Sequence, residues 1–166
     1  MDSIRTHYLD ASAIVKLLVD EDGSDALRAY FGRHSVFYAT SICFAETLGV
    51  LKAKVLREQL DEEQYLSACE ELMAHLRGHT LEIDDVGISQ RGTFDEVERL
   101  AKKHSLDISD AYQLVTLSCG GLSRLKTGLQ PILVTADAAL AAAAKSEGLR
   151  SWNCLRESEP QSVRAG

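Results

Sequence analysis

Short apolar runs alternate along this chain with longer segments whose apolar positions recur at helical spacing, the pattern of strands separated by helices. Residues 5–9 read as a strand. Ser12 reads as the N-cap of a helix through Ala13-Ile14-Val15-Lys16-Leu17-Leu18-Val19. Asp22-Gly23-Ser24 breaks the chain before a second helix, from about Ser24 to Arg33. Val36-Phe37-Tyr38-Ala39 is a second strand, and Thr40 or Ser41 caps a long helix running to about Glu58. Asp61-Glu62-Glu63 opens the next helix with acids where the helix dipole favours them, and Arg77-Gly78 closes it. Thr80–Ile83 is a third strand, followed by helices over about Ile88–His104 and Ile108–Cys119. After a looser stretch from Ser123 to Gln130 come a strand at Pro131–Thr135, an alanine-rich helix stopped by Gly148, and a last strand at Leu149–Trp152.

Strands alternating with helices predict an α/β fold with a mostly parallel sheet covered on both faces. The 166 residues suit one domain with its own core. That domain is expected to span 1–156, with a polar, flexible C-terminal tail over 157–166. No apolar run is long enough to span a bilayer and Met1-Asp2-Ser3-Ile4-Arg5 lacks the regions of a signal peptide, so a cytoplasmic protein with no membrane partner is expected. Cys43, Cys69, Cys119 and Cys154 lack C-x-x-C spacing, which argues against zinc and redox motifs. Cys43 and Cys119 are expected to act as small buried hydrophobes. The formal charge of −7 argues against a general basic coat for gripping nucleic acid.

Four acids break the apolar pattern. Asp10 and Asp137 follow short apolar runs, at the carboxyl ends of predicted strands, where open α/β sheets form their sites. Each also suits a helix cap, although Ser12 is better placed than Asp10 to cap its helix. Glu46 interrupts a helical line of small apolar residues, Ile42, Gly49, Val50 and Ala53, opposite Lys52 and Lys54. Asp110 heads the line Leu114 and Leu117, with Asp107 before it as a candidate N-cap. Unpaired carboxylates near a core are costly, and a shared divalent cation would resolve that cost.

The segments Tyr8-Leu9-Asp10-Ala11-Ser12-Ala13, Phe44-Ala45-Glu46, Ser109-Asp110-Ala111-Tyr112-Gln113-Leu114 and Val134-Thr135-Ala136-Asp137 resemble the successive motifs of PIN-domain nucleases. The compact single-domain form resembles the VapC-type toxins of toxin–antitoxin pairs, from Tyr8 to about Trp152. The resemblance implies a PIN-like three-layer fold, a parallel sheet of four or five strands flanked by helices, and a metal-dependent endoribonuclease. It maps the acidic quartet onto Asp10, Glu46, Asp110 and Asp137, with Ser12, Asp107 and Thr135 as accessory residues. Hard oxygen ligands select Mg²⁺ or Mn²⁺. On this reading Asp10 and Asp137 hold the principal ion and Asp110 shares it, while Glu46 completes a second site or positions the attacking water. Cleavage would then leave a 5′-phosphate. The implied partners are an RNA substrate, a cognate antitoxin and a second copy in a homodimer built on residues 42–76.

Lys16, Lys52, Lys54, Arg57, Arg124 and Lys126 are candidates for RNA contacts, or else solvated surface charges. The five histidines show no ligand spacing. A dehalogenase-type phosphatase would want a second Asp where Ser12 stands, and no Gly-rich phosphate loop is present. A catalytically inactive PIN-like protein-interaction module is the alternative to the nuclease.

Overall fold

The computed structural model describes residues 6–34, 36–121 and 131–160. The loose stretch with Arg124 and Lys126, and the end of the expected tail, lie outside the described residues. The elements run β1 (His7–Leu9), α1 (Ala11–Leu18), α2 (Ser24–Phe31), β2 (Phe37–Ala39), α3 (Ser41–Leu56), α4 (Glu62–Arg77), β3 (Leu81–Ile83), α5 (Arg91–His104), α6 (Ile108–Cys119), β4 (Ile132–Thr135), α7 (Ala138–Ser146) and β5 (Arg150–Asn153).

The five strands form one sheet in the order β3-β2-β1-β4-β5, with every neighbouring pair parallel. Parallel neighbours need crossover connections, and here helices supply all of them. Residues of α1 to α4 pack with Leu9, Phe37 and Val134 on one face. Residues of α5, α6 and α7 pack with Tyr8 and Leu133 on the other. Adjacent residues of one strand thus serve opposite cores, the strand period of two written into two hydrophobic layers. The result is the three-layer α/β architecture expected from the sequence, with five strands.

Local chemistry sets the element ends. Thr40, not Ser41, caps α3, its hydroxyl accepting from Cys43 N at 3.1 Å. Asp61 and Gln64 form a reciprocal capping box at α4, at 2.7 and 2.9 Å. The helix expected from Ile88 starts at Arg91, because Gln90 N closes a turn onto Gly87 O at 3.0 Å. Glu157, where the polar tail was expected to begin, is anchored: Trp152 Nε1 donates to its carbonyl at 3.1 Å and Asn153 N to its carboxylate at 3.1 Å.

Several expected surface charges are committed to the fold. Lys16 is buried on α1 and pairs with Glu21 at 2.7 Å, and Lys54 of α3 reaches the same carboxylate at 2.8 Å. Neither is a free basic contact. Lys52 stands 5.1 Å from the centre of the Tyr65 ring. Cys43 is buried as expected, whereas Cys119 is exposed on the last turn of α6, its thiol donating to Val115 O at 3.0 Å. Among the described residues no helix is long and apolar enough to cross a membrane.

Candidate functional site

In the strand order β3-β2-β1-β4-β5 the winding reverses between β1 and β4, which opens a crevice at their carboxyl ends. Asp10 follows β1 and Asp137 follows β4 at this point. Asp10 is only 4% exposed, and its carboxylate is held on both oxygens. Oδ1 accepts from Ala13 N at 2.8 Å and from Ser12 Oγ at 2.7 Å, and Oδ2 accepts from Thr135 Oγ1 at 2.6 Å. Both hydroxyls also reach the β4–α7 turn: Thr135 Oγ1 accepts from Asp137 N at 2.9 Å, and Ser12 Oγ from Ala136 N at 2.9 Å. Ser12 and Thr135 therefore orient Asp10 and lock the start of α1 to the start of α7.

Ser12 is not the N-cap of α1; Asp10 is. A cap must be extended and lie ahead of the free N–H groups, as Asp10 does at φ −82° and ψ 173°. Ser12 already lies within the helix, so its hydroxyl turns to the capping carboxylate. Asp137 caps α7 similarly, Oδ1 accepting from Ala139 N at 2.6 Å and Leu140 N at 2.9 Å.

Asp107 caps α6, accepting from Asp110 N at 2.8 Å, and Asp110 is half-buried one turn into the helix. Glu46 arrives from α3. Ser109 Oγ donates to Glu46 and also lies 2.7 Å from Asp107 Oδ1. Glu46 does not interrupt a buried stripe, as its apolar neighbours suggested. The buried line of α3 is Cys43, Thr47 and Leu51, while Gly49 and Val50 are exposed. Thr47 tolerates burial by donating to Cys43 O at 2.8 Å, so residue type alone pointed to the wrong face.

Asp110 is pushed up to about 7, first by burial and then by the like charges of Asp107, Asp10, Asp137 and Glu46. The quartet and Asp107 therefore share one electrostatic field. Asp10 is also raised, by burial above all and by the charge of Asp137, against the opposing pull of its three hydrogen-bond donors. None of the ion pairs among the described residues engages any of these five carboxylates.

As a donor set, concentrated carboxylate oxygen with uncompensated negative charge fits a hard divalent cation. As placed, though, no group of three or more His, Cys, Asp or Glu among the described residues is arranged to hold a metal ion. The carboxylates share a field without sharing a ligand shell. Asp10 and Asp137 are engaged in cap bonds.

Two further acids near this edge escaped the sequence reading. Asp84 and Asp85 follow β3. Asp84 accepts a hydrogen bond from the Tyr8 hydroxyl. Asp85 accepts from Ser41 N at 2.9 Å and lies 3.2 Å from the Tyr112 hydroxyl, which also donates to Val86 O at 2.8 Å. Their signal was available, since they leave a strand as Asp10 does. Each has a phenol or a backbone N–H directed at it, which suits joining β3 to the sheet and to α6. Ser109 carried no signal beyond its place beside Asp110.

No family model matches the chain. No curated protein matches it. Among solved structures it is similar to PAE2754 from Pyrobaculum aerophilum, with a TM-score of 0.58 and 20% identity, covering 89% of this chain and 90% of that one. At this identity the likeness shows the fold alone, over nearly the whole length.

Proposed function

We propose that this chain is a Mg²⁺- or Mn²⁺-dependent endoribonuclease of the PIN type, acting as the toxin of a type II toxin–antitoxin pair. The observation that carries the reading is the gathering of Asp10, Glu46, Asp137 and Asp107 about Asp110, whose carboxyl is raised first by burial and then by their charges, with no described cation paired to them. A fold that keeps four acids from four separate segments so uncompensated gains by binding cationic charge.

In this reading Asp10, Asp137 and Asp110 hold the principal ion, and Glu46 completes a second site or positions the attacking water. When bound, the ion supplies positive charge at the scissile phosphate and makes water more acidic. Asp10 is pre-oriented by Ser12, Thr135 and Ala13 N, so its carboxylate needs little reorganisation. Hydrolysis by in-line attack of water needs no 2′-hydroxyl and leaves a 5′-phosphate. The reading also expects a cytoplasmic protein, a homodimer, and a small antitoxin that covers the acids with a basic side chain.

One observation favours a second reading. The lack of a ready three-residue ligand group among the described residues suits a PIN-like scaffold acting only as a protein-interaction module. Cleavage of a mixed pool of structured RNAs, with Mg²⁺ or Mn²⁺ and with EDTA, separates the two when wild type is compared with Asp10→Asn. The nuclease reading expects metal-dependent 5′-phosphate products from wild type and none from the variant. Activity that persists in Asp10→Asn would remove this site from the chemistry, and no cleavage by a folded, metal-loaded wild type would favour the module.

A further inference from the structure

Ser109 stands where two elements meet at the acids: it belongs to α6, between Asp107 and Asp110, and its hydroxyl donates to Glu46 of α3. The same hydroxyl lies 2.7 Å from Asp107 Oδ1. Glu46 sits on a half-exposed part of its helix, where a long side chain has several rotamers open to it. Among the described residues, Ser109 is the one hydrogen-bond donor to its carboxylate. That bond crosses from α3 to α6 and brings Glu46 into the field that raises Asp110.

We infer that Ser109 is a positioning residue of the acidic site, holding Glu46 toward Asp110 so that the fourth carboxylate is in place before a cation arrives. The inference rests on the metal-site reading above. A hydroxyl has one proton, so Ser109 can donate to one of its two carboxylate neighbours at a time. When a cation draws on Glu46, the proton can turn to Asp107 without leaving the hydroxyl unpaired. Ser109 thus both presents Glu46 and lets it go at low cost.

The test is Mn²⁺ binding to the metal-free full chain, measured by calorimetry and by loss of the free-ion paramagnetic resonance signal. Wild type is compared with Ser109→Ala, Ser109→Cys, Ser109→Thr, Glu46→Gln, the Ser109→Ala/Glu46→Gln double variant and Asp10→Asn. Ser109→Ala is expected to bind Mn²⁺ roughly 10-fold more weakly, the lower end of what outer-shell losses cost. Ser109→Cys, which keeps the volume but not the strong donor, should follow it, and Ser109→Thr should restore binding. In the Glu46→Gln background Ser109→Ala should add little, because both changes act through one carboxylate.

Wild-type affinity in folded Ser109→Ala and Ser109→Cys, with binding lost in Asp10→Asn, overturns the role of Ser109 and leaves the metal site standing. Equal loss in Ser109→Thr and Ser109→Ala would assign the effect to packing and overturn it too. Undiminished Mn²⁺ binding in Asp10→Asn overturns the site and this inference together.

Discussion

Asp110 and Glu147 are carboxylates of one small domain driven in opposite directions. Glu147, just past α7, is pulled down to about 2 by its hydrogen bonds to Lys103 and His104, against the opposing effect of burial, with the charges of Lys103 and Arg99 adding to the pull. Lys103 Nζ and His104 Nε2 lie 2.7 and 2.6 Å from its Oε1, and Arg99 lies 3.6 Å from Oε2. Asp110 is pushed up to about 7, first by burial and then by four like charges. Glu147 ties α5 to the end of α7 and is paired in full; its chemistry is finished within the fold. Asp110 has no ion pair among the described residues. The two acids differ in burial and in the sign of their neighbours together.

The largest expected effect falls on activity. Asp10→Asn should lower metal-dependent cleavage of RNA by more than the roughly 100-fold that loss of an outer-shell partner can cost, while Glu147→Gln leaves cleavage unchanged. Comparable losses in both variants would erase the contrast. The second prediction concerns cations. Mg²⁺ at 100 times its dissociation constant should stabilise the wild type by about 2.7 kcal/mol in thermal melts, and Asp10→Asn should show much less.

A third prediction follows from the raised carboxyl. The unfolded chain releases this proton near pH 3.8, whereas folded Asp110 keeps it to about 7, so metal-free stability should fall as pH rises through that window. Asp110→Asn should flatten this fall and stabilise the metal-free protein at pH 8 by about 2 kcal/mol, after discounting for solvent screening of a half-buried group. Denaturant unfolding at pH 4.5 and pH 8 measures it, and a variant less stable than wild type at pH 8 would refute it. The smallest effect is expected at Glu147, whose lowered value gives stability that is present above about pH 4.5 and lost as pH falls toward 2. Glu147→Gln should cost about 1 kcal/mol or less at pH 7, as surface ion pairs do, and the difference should vanish in acid melts.

Most of the fold was legible because its strands are short, apolar and bounded by clear helix signals. Asp61, Thr40 and Gly78 set helix ends where the residue types placed them. Asp10 and Asp137 were legible for the same reason: the carboxyl end of a strand is a position that sequence order reveals. Glu46 was singled out on a mistaken face, since Thr47 and Lys54 turn inward only because Cys43 O and Glu21 await them. The Glu21 partner lies in another segment of the chain and leaves no trace in the helical spacing of α3, and the Thr47 bond to its own helix lets a polar residue type pass for a surface one. Ser109 and the Tyr8–Asp84 contact escaped for that same reason, being pairings between elements distant in sequence.

The capping bond from Ala13 N to Asp10 has a consequence for descent. Asparagine caps helices about as well as aspartate and needs no charge, and the codons of the two differ by one base. A descendant that loses the acid at this position would keep its first helix and shed a buried charge that the bare fold resists. The protein therefore stands one mutational step from a folded relative without this negative charge, and selection for activity, more than for folding, would have to guard the position.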